Sequence, residues 1–350
     1  MEAAASNELT VKPSEAYSGI RKVLKSGRVP MLHGSPAIGK SSIVKKIAEA
    51  SKLFVIDLRL SQCEPTDMLG FPSIDTVRQK AGYVPMETFP VEGDEIPEGY
   101  NGWLLFLDEL TSATPPVQAA AYKLILDKMV GVKNLHPLCF IVGAGNLETD
   151  NAVVYPMSTA LKSRMTHFTL RLDVPEWLSW AMDEKFDHRI TDYIQFQNDH
   201  LYTFDPNTTD KSYAAPRSWH ANNDLLQKGC DSDIKDPDFR FGSAGNVGFG
   251  VTTEFLTFCD IYQKLPTLAA IEAHPDKVDM PEEPGMLFAL AGVVGRGCTH
   301  TNMPNMMTFL KRMPLEFQVV TMRYAMKKDR ALKALPAVAT WLSQHISKLF

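Results

Sequence analysis

Short apolar runs alternate with helically spaced apolar positions from about Val29 to Leu172, and this pattern predicts a parallel sheet with helices on both faces. The runs place strands at Val29–His33, Leu53–Leu58, Trp103–Leu107, Cys139–Gly143 and Thr166–Leu172. Helical spacing falls at Ser41–Ala50, Val117–Lys128 and Thr159–Arg164. Between the second and third strands runs a long, proline-rich connection, Ser61–Asn101, in which Tyr83-Val84-Pro85-Met86 reads as one arm of a hairpin. After Pro175 the pattern is helical over Glu176–His200 and Ala215–Gln227. Asp231–Gly250, rich in Gly, Asp and Phe, reads as a loop, and from Thr252 onward helices broken by prolines run to the end.

Where the first strand passes into the first helix stands Gly34-Ser35-Pro36-Ala37-Ile38-Gly39-Lys40-Ser41, with Ser42 opening the helix proper. This fits G-x-x-x-x-G-K-[ST], a loop that wraps nucleotide phosphates. Gly34 and Gly39 let the main chain curl so that its N–H groups face a polyanion; Lys40 reaches the β- and γ-phosphates, and Ser41 offers a hydroxyl to Mg²⁺. The plain alternative is a glycine turn between strand and helix. Trp103-Leu104-Leu105-Phe106-Leu107-Asp108-Glu109 ends a buried strand in two carboxylates, which suits Asp108 to the metal shell and Glu109 to polarising a water. Asn146 follows the strand Cys139–Gly143, at the sheet edge where α/β proteins gather ligands; it reads as an amide orienting that water or as a turn-former. Arg164 and Arg217 read either as charges brought to a γ-phosphate or as solvated helix-end cations.

Composition narrows the field. The chain has 350 residues, 45% hydrophobic and 22% charged, as in ordinary globular proteins, and no stretch is long enough to span a bilayer. A net charge of -5 gives no support to a global grip on nucleic acid, although local basic patches leave it open. The five cysteines form no C-x-x-C and the nine histidines no H-E-x-x-H, so zinc is not indicated. The N-terminus lacks a signal-peptide pattern, and a cytoplasmic location is expected.

Taken in order, Gly34–Ser41, Asp108-Glu109, Asn146, Arg164 and Pro216-Arg217-Ser218 resemble the AAA+ ATPases, and within them the MoxR-type, dynein-related branch. Ser61-Gln62 with Asp67-Met68-Leu69-Gly70 is similar to the segment this branch carries after its second strand, and the long connection is similar to its helix-two insertion. The resemblance covers about residues 15–225. It implies that Asn146 is sensor 1, Arg164 the arginine finger reaching a neighbour's nucleotide, and Arg217 sensor 2. It also implies ATP and Mg²⁺ as cofactors, a homo-oligomeric ring, usually a hexamer, and a protein client, often with a von Willebrand factor A-domain partner. Two positions depart from the branch, Ala37 for Gly and Thr111-Ser112 for Asn-Arg. The expected organisation is an α/β nucleotide-binding domain over 1–174 with an insertion at about 71–101, a helical lid over 175–250 and a helical extension over 251–350.

A phosphate loop fixes binding, not the work done with it. The alternative to a protein remodeler is a nucleic-acid motor or restriction-type NTPase. Its local support is Phe239-Arg240-Phe241 with the glycines after it, and Arg323, Lys327, Lys328 and Arg330. The run Met303, Met306, Met307, Met313, Met322, Met326 reads either as an adaptable surface or as helical core, and Phe71, Tyr83 and Phe89 as candidate client contacts.

Overall fold

The computed structural model describes residues 9–345 except 78, 151–153 and 263. The chain forms two units, one running to Glu176 and including Asp205–Thr209, the other made of Trp177–Phe204 and Asp210 onward.

Among the described residues the first unit has ten strands: β1 (Thr10–Val11), β2 (Val29–His33), β3 (Phe54–Arg59), β4 (Phe71–Asp75), β5 (Lys80–Val84), β6 (Trp103–Asp108), β7 (Met129–Val130), β8 (Lys133–Asn134), β9 (Cys139–Gly145) and β10 (Met165–Leu170). Six build one parallel sheet in the order β1-β10-β2-β9-β6-β3. The other four pair as the antiparallel hairpins β4-β5 and β7-β8. Helices α1 (Pro13–Lys25), α2 (Lys40–Ser51), α3 (Pro65–Leu69), α4 (Pro115–Asp127) and α5 (Thr159–Lys162) flank the sheet, as the α/β reading expected.

Both faces of the central strands are covered, which is why they read as unbroken apolar runs. Trp103, Leu105 and Leu107 of β6 pack with Ile141 of β9 and with Val117, Ala121 and Leu124 of α4. The alternate residues Leu104 and Phe106 are fully buried on the other face. Each such side chain contributes roughly 1.5–3 kcal/mol by leaving water. The proline-rich connection folds into α3 and the β4-β5 hairpin, so Tyr83 does lie in a hairpin arm.

The second unit is helical: α6 (Val174–Asp183), which begins at the boundary, then α7 (His188–Phe196), α8 (Pro216–Asp224), α9 (Pro237–Val247), α10 (Phe249–Tyr262), α11 (Leu268–Ala273), α12 (Pro284–Gly297), α13 (Met303–Leu310), α14 (Leu315–Lys328) and α15 (Pro336–His345). Helix α9 corrects the loop reading of 231–250. Asp236 caps it through the Asp238 N–H, Pro237 opens it, and Phe239, Ser243 and Val247 bury one face at helical spacing. Met303, Met306, Met307, Met313 and Met322 are buried together with Phe309 and Phe317, and Met326 packs against them, so this run is core. Asp192 of α7, itself buried, takes both Nη1 and Nη2 of Arg296 at 2.7 Å and the Tyr324 hydroxyl at 2.8 Å, which pins α7, α12 and α14. Among the described residues no helix is long and apolar enough to cross a membrane.

Candidate functional site

The C-terminal ends of β2, β9 and β6 lie side by side in the sheet, and each passes into a segment carrying residues singled out by the sequence. Gly34 N donates to Gly145 O at 3.2 Å, tying the start of the phosphate loop to the end of β9. The loop then turns through two left-handed residues, Ala37 at φ +63° and Gly39 at φ +102°. Glycine occupies that conformation freely, whereas alanine pays roughly 1 kcal/mol for it. Position 37, where the resembling branch carries Gly, is therefore strained. Ile38 folds back over Gly34, where an added Cβ would stand 2.5 Å from its Cδ1.

Lys40, 9% exposed, opens α2. Its ammonium donates to Gly34 O at 2.5 Å, Ser35 O at 3.0 Å and Asn146 Oδ1 at 2.9 Å. Ser41 Oγ donates to Asp108 Oδ2 at 3.2 Å, and Asp108 Oδ1 accepts the Glu109 N–H at 2.9 Å. Glu109 is left-handed at φ +56°, which swings its carboxylate out of the strand direction, where it accepts a short bond from the Ser61 hydroxyl. Ser61 sits in the turn Leu60–Gln62 that follows β3. Nearby on β3, burial and then the Asp108 carboxylate push the Asp57 carboxyl above its usual range, with Arg59 and Lys45 opposing.

The structure thus brings Gly34, Ser35, Lys40, Ser41, Asp108, Glu109 and Asn146 to one sheet edge. A hydroxyl and a carboxylate in contact, in a locally negative field, form a hard-oxygen donor pair that fits Mg²⁺, which takes few protein ligands and keeps waters and phosphate oxygens. Among the described residues no cluster of three or more His, Cys, Asp or Glu could hold a metal by itself. Pro36 and Ile38 complete the loop, and Ser42 lies exposed in the first turn of α2.

Arg164 follows α5. Its Nη1 donates to Ala160 O at 2.8 Å and Ser163 Oγ at 3.3 Å, and its guanidinium lies 5.2 Å over the Tyr122 ring. These bonds stay within its own helix end and do not join it to the phosphate loop. Arg217 belongs to the second unit, exposed in the first turn of α8; the Ser218 hydroxyl caps that turn, and Trp219 anchors it by donating to His200 O at 2.8 Å.

Three features escaped the sequence reading. Asp150 Oδ1 accepts from Ser35 Oγ at 2.9 Å and its Oδ2 from Leu147 N at 3.1 Å, which braces the loop; no spacing signals it. Ser61 was visible only as part of a similar segment, without a role. His33, the last residue of β2, stacks on His167 of β10 with centroids 5.1 Å apart and Nε2 2.9 Å from His167 Nδ1. His167 Nε2 lies 2.8 Å from Lys162 O. A carbonyl only accepts, so His167 carries its proton on Nε2 and accepts from His33 Nε2–H. Of the candidate client contacts, Phe71 and Tyr83 are exposed on the hairpin, but Phe89 is 3% exposed and packs in the core of the first unit.

No family model and no curated protein matches the chain. Among solved structures, it is similar to a provisionally assigned ATPase from Cytophaga hutchinsonii ATCC 33406, at 14% identity and a TM-score of 0.34, covering 96% of this chain and 90% of that one. It is also similar to a variant of RuvB from Thermotoga maritima, at 14% identity and a TM-score of 0.34, covering 80% of each chain. At that level the likeness lends no weight to the chemistry of the site.

Proposed function

We propose that this chain is a Mg²⁺-dependent ATP hydrolase of the AAA+ class, in its MoxR-type, dynein-related branch. It works in the cytoplasm as a homo-oligomeric ring, a hexamer, that remodels or assembles a protein client alongside a von Willebrand factor A-domain partner. The observation that carries the reading is the meeting of three sequence features in two bonds: the loop serine Ser41 on the strand-end Asp108, and the loop lysine Lys40 on Asn146.

In this reading the loop N–H groups and Lys40 hold the phosphates, and Ser41 with Asp108 holds the metal. Bound there, Mg²⁺ supplies neutralisation of phosphate charge. Glu109 polarises the attacking water and Asn146 orients it. Arg164 acts on the nucleotide of a neighbouring protomer, and Arg217 acts from a lid over 175–250, with 251–350 as a helical extension. Adenine is favoured over guanine because the chain has no Asn-Lys-x-Asp motif.

Glu109→Gln tests the reading. It keeps the volume and removes the carboxylate, so it should bind MgATP as the wild type does and release phosphate at least about 100-fold more slowly. Brisk turnover by this variant removes Glu109 from the mechanism, and wild-type protein that neither binds MgATP nor releases phosphate removes the ATPase itself. Mass photometry with and without MgATP checks the ring, and a persistent monomer counts against it.

A nucleic-acid client is the second reading, and one observation favours it: Phe241 and Phe249 are 72% and 69% exposed, and Arg240, next to Phe241 in the chain, is also exposed. Stacking on such rings suits single strands. The other basic stretch is less available, since Lys327 Nζ bonds the Ser179 hydroxyl at 2.8 Å and Lys328 Nζ the Arg296 carbonyl at 2.5 Å. Stimulation of phosphate release by single-stranded DNA or RNA, lost in Phe241→Ala, would select this reading.

A further inference from the structure

Asn146 stands one residue past the end of β9, beyond that strand's last pairs with β2 and β6. Thr111 meets it there. It lies in the turn Leu110–Ser112 that follows Asp108 and Glu109, and is 5% exposed. Its hydroxyl accepts the Asn146 N–H at 3.0 Å and donates to Asn146 O at 3.3 Å, so one side chain closes on both peptide groups of one residue. The turn is held in its own right, because Thr111 O accepts the Tyr155 N–H at 2.7 Å.

The close approach depends on Gly145. A Cβ there would stand 2.4 Å from Thr111 Oγ1 and 2.6 Å from its Cγ2. The same Gly145 accepts the Gly34 N–H, so Thr111, the end of β9 and the start of the phosphate loop meet at one point. From the fixed Asn146 backbone the side-chain amide then reaches Lys40.

We infer that Thr111 is a positioning residue for Asn146: its hydroxyl locks the Asn146 peptide beside the turn carrying Glu109, and so aims the Asn146 amide at the place where the γ-phosphate and its attacking water meet. This rests on the ATPase reading of the site. A hydroxyl serves because it donates and accepts at once, which valine of nearly the same shape does not do. Misplacing a catalytic group by about 1 Å costs on the order of 100-fold in rate.

The test compares full-length wild type with Thr111→Val, Thr111→Ser, Asn146→Ala and the Thr111→Val/Asn146→Ala double variant. The readouts are phosphate release from MgATP and affinity for a fluorescent ATP analogue. Thr111→Val should lower kcat by about 10- to 100-fold with nucleotide affinity and KM within about twofold, and Thr111→Ser should restore most of the rate. In the Asn146→Ala background Thr111→Val should cost less than about twofold more, because Thr111 acts through Asn146. Amide exchange at Asn146 should quicken in Thr111→Val and not in Thr111→Ser. Wild-type rates in Thr111→Val, a serine variant as slow as valine, or a full additive loss in the double variant would each overturn the inference while leaving the ATPase reading intact. Wild-type protein with no phosphate release overturns both.

Discussion

Lowering the pH should weaken the first unit through a single histidine. His33 is held mostly out of water, and His167, Lys162 and Lys40 all disfavour a second proton on it. Burial acts first and these three next, and together they push its pKa from 6.5 down to about 4. The unfolded chain binds that proton near pH 6.5, whereas the folded chain refuses it until about pH 4. His33 therefore costs nothing above about pH 7, and stability drains away as the pH falls through 6.5 toward 4. At pH 5 the unfolded state gains a factor of roughly 30 in protonation against almost none for the folded state, which is at most about 2 kcal/mol, with water at the ring's open edge trimming it. His33→Gln keeps an N–H for His167 and removes the titration, so the comparison isolates this histidine from carboxylates such as Asp173 that also titrate. Denaturant unfolding followed at Trp103, buried in β6, should show wild type losing about 2 kcal/mol relative to the variant between pH 7.5 and pH 5. In ¹³C-labelled histidine spectra His33 should stay neutral down to about pH 4. A wild-type-to-variant gap that is equal at the two pH values, or a His33 resonance titrating near 6.5, would refute the reasoning.

Two further perturbations probe the site and the helical unit. Ser61→Ala removes the bond that holds the Glu109 carboxylate; if that bond must break before Glu109 engages water, phosphate release should rise by up to about tenfold at unchanged nucleotide affinity. A fall in rate would mean that Ser61 orients Glu109 for the reaction instead. Arg296→Met should cost the second unit about 3–5 kcal/mol in denaturant unfolding followed at Trp219 or Trp341, because it removes the guanidinium that balances the buried Asp192 carboxylate and leaves the bond from the Tyr324 hydroxyl. A loss below about 1 kcal/mol would show that water reaches Asp192 once the arginine is gone.

How much was legible follows from the range of each interaction. β2, β6 and β9 were readable because a strand buried on both faces has little room for a polar residue; the bounds of β2 held and the ends of β6 and β9 moved by one and two residues. The phosphate loop was readable because its geometry is local: left-handed Gly39 and the Gly34 packed under Ile38 are six residues of one chain. β1 was missed because two residues carry no period. α9 was missed because Gly242, Gly245 and a serine interrupt its apolar face, so its helical period is carried mainly by Phe239 and Val247. Ser61 on Glu109, Asp150 on Ser35 and Thr111 on Asn146 join residues 48, 115 and 35 positions apart. Serine, threonine and aspartate at such separations carry no pattern in one sequence. Of the two departures from the similar branch, Thr111 falls at one of these silent places, whereas Ala37 lies in the locally readable loop. Ala37 is held in a conformation that suits glycine, and Thr111 clasps a strand end.

Three of the charged groups assigned to chemistry, Lys40, Glu109 and Arg164, share a physical property. Lys40 rests on two loop carbonyls and an amide oxygen, Glu109 on a serine hydroxyl, and Arg164 on its own helix-end carbonyl and the face of Tyr122. Each of these neutral contacts is worth about 1 kcal/mol or somewhat more, and a half-exposed cation–π contact about 0.5–1 kcal/mol. In the proposed ATPase reading, a triphosphate would offer Lys40 and Arg164 charge-assisted bonds roughly twice as strong, and for arginine a bidentate one. In that reading the exchange favours the nucleotide for Lys40 and Arg164. Tyr122 suits Arg164 to the proposed role, because a ring face fixes the guanidinium plane without taking up its N–H donors, which a phosphate could then engage.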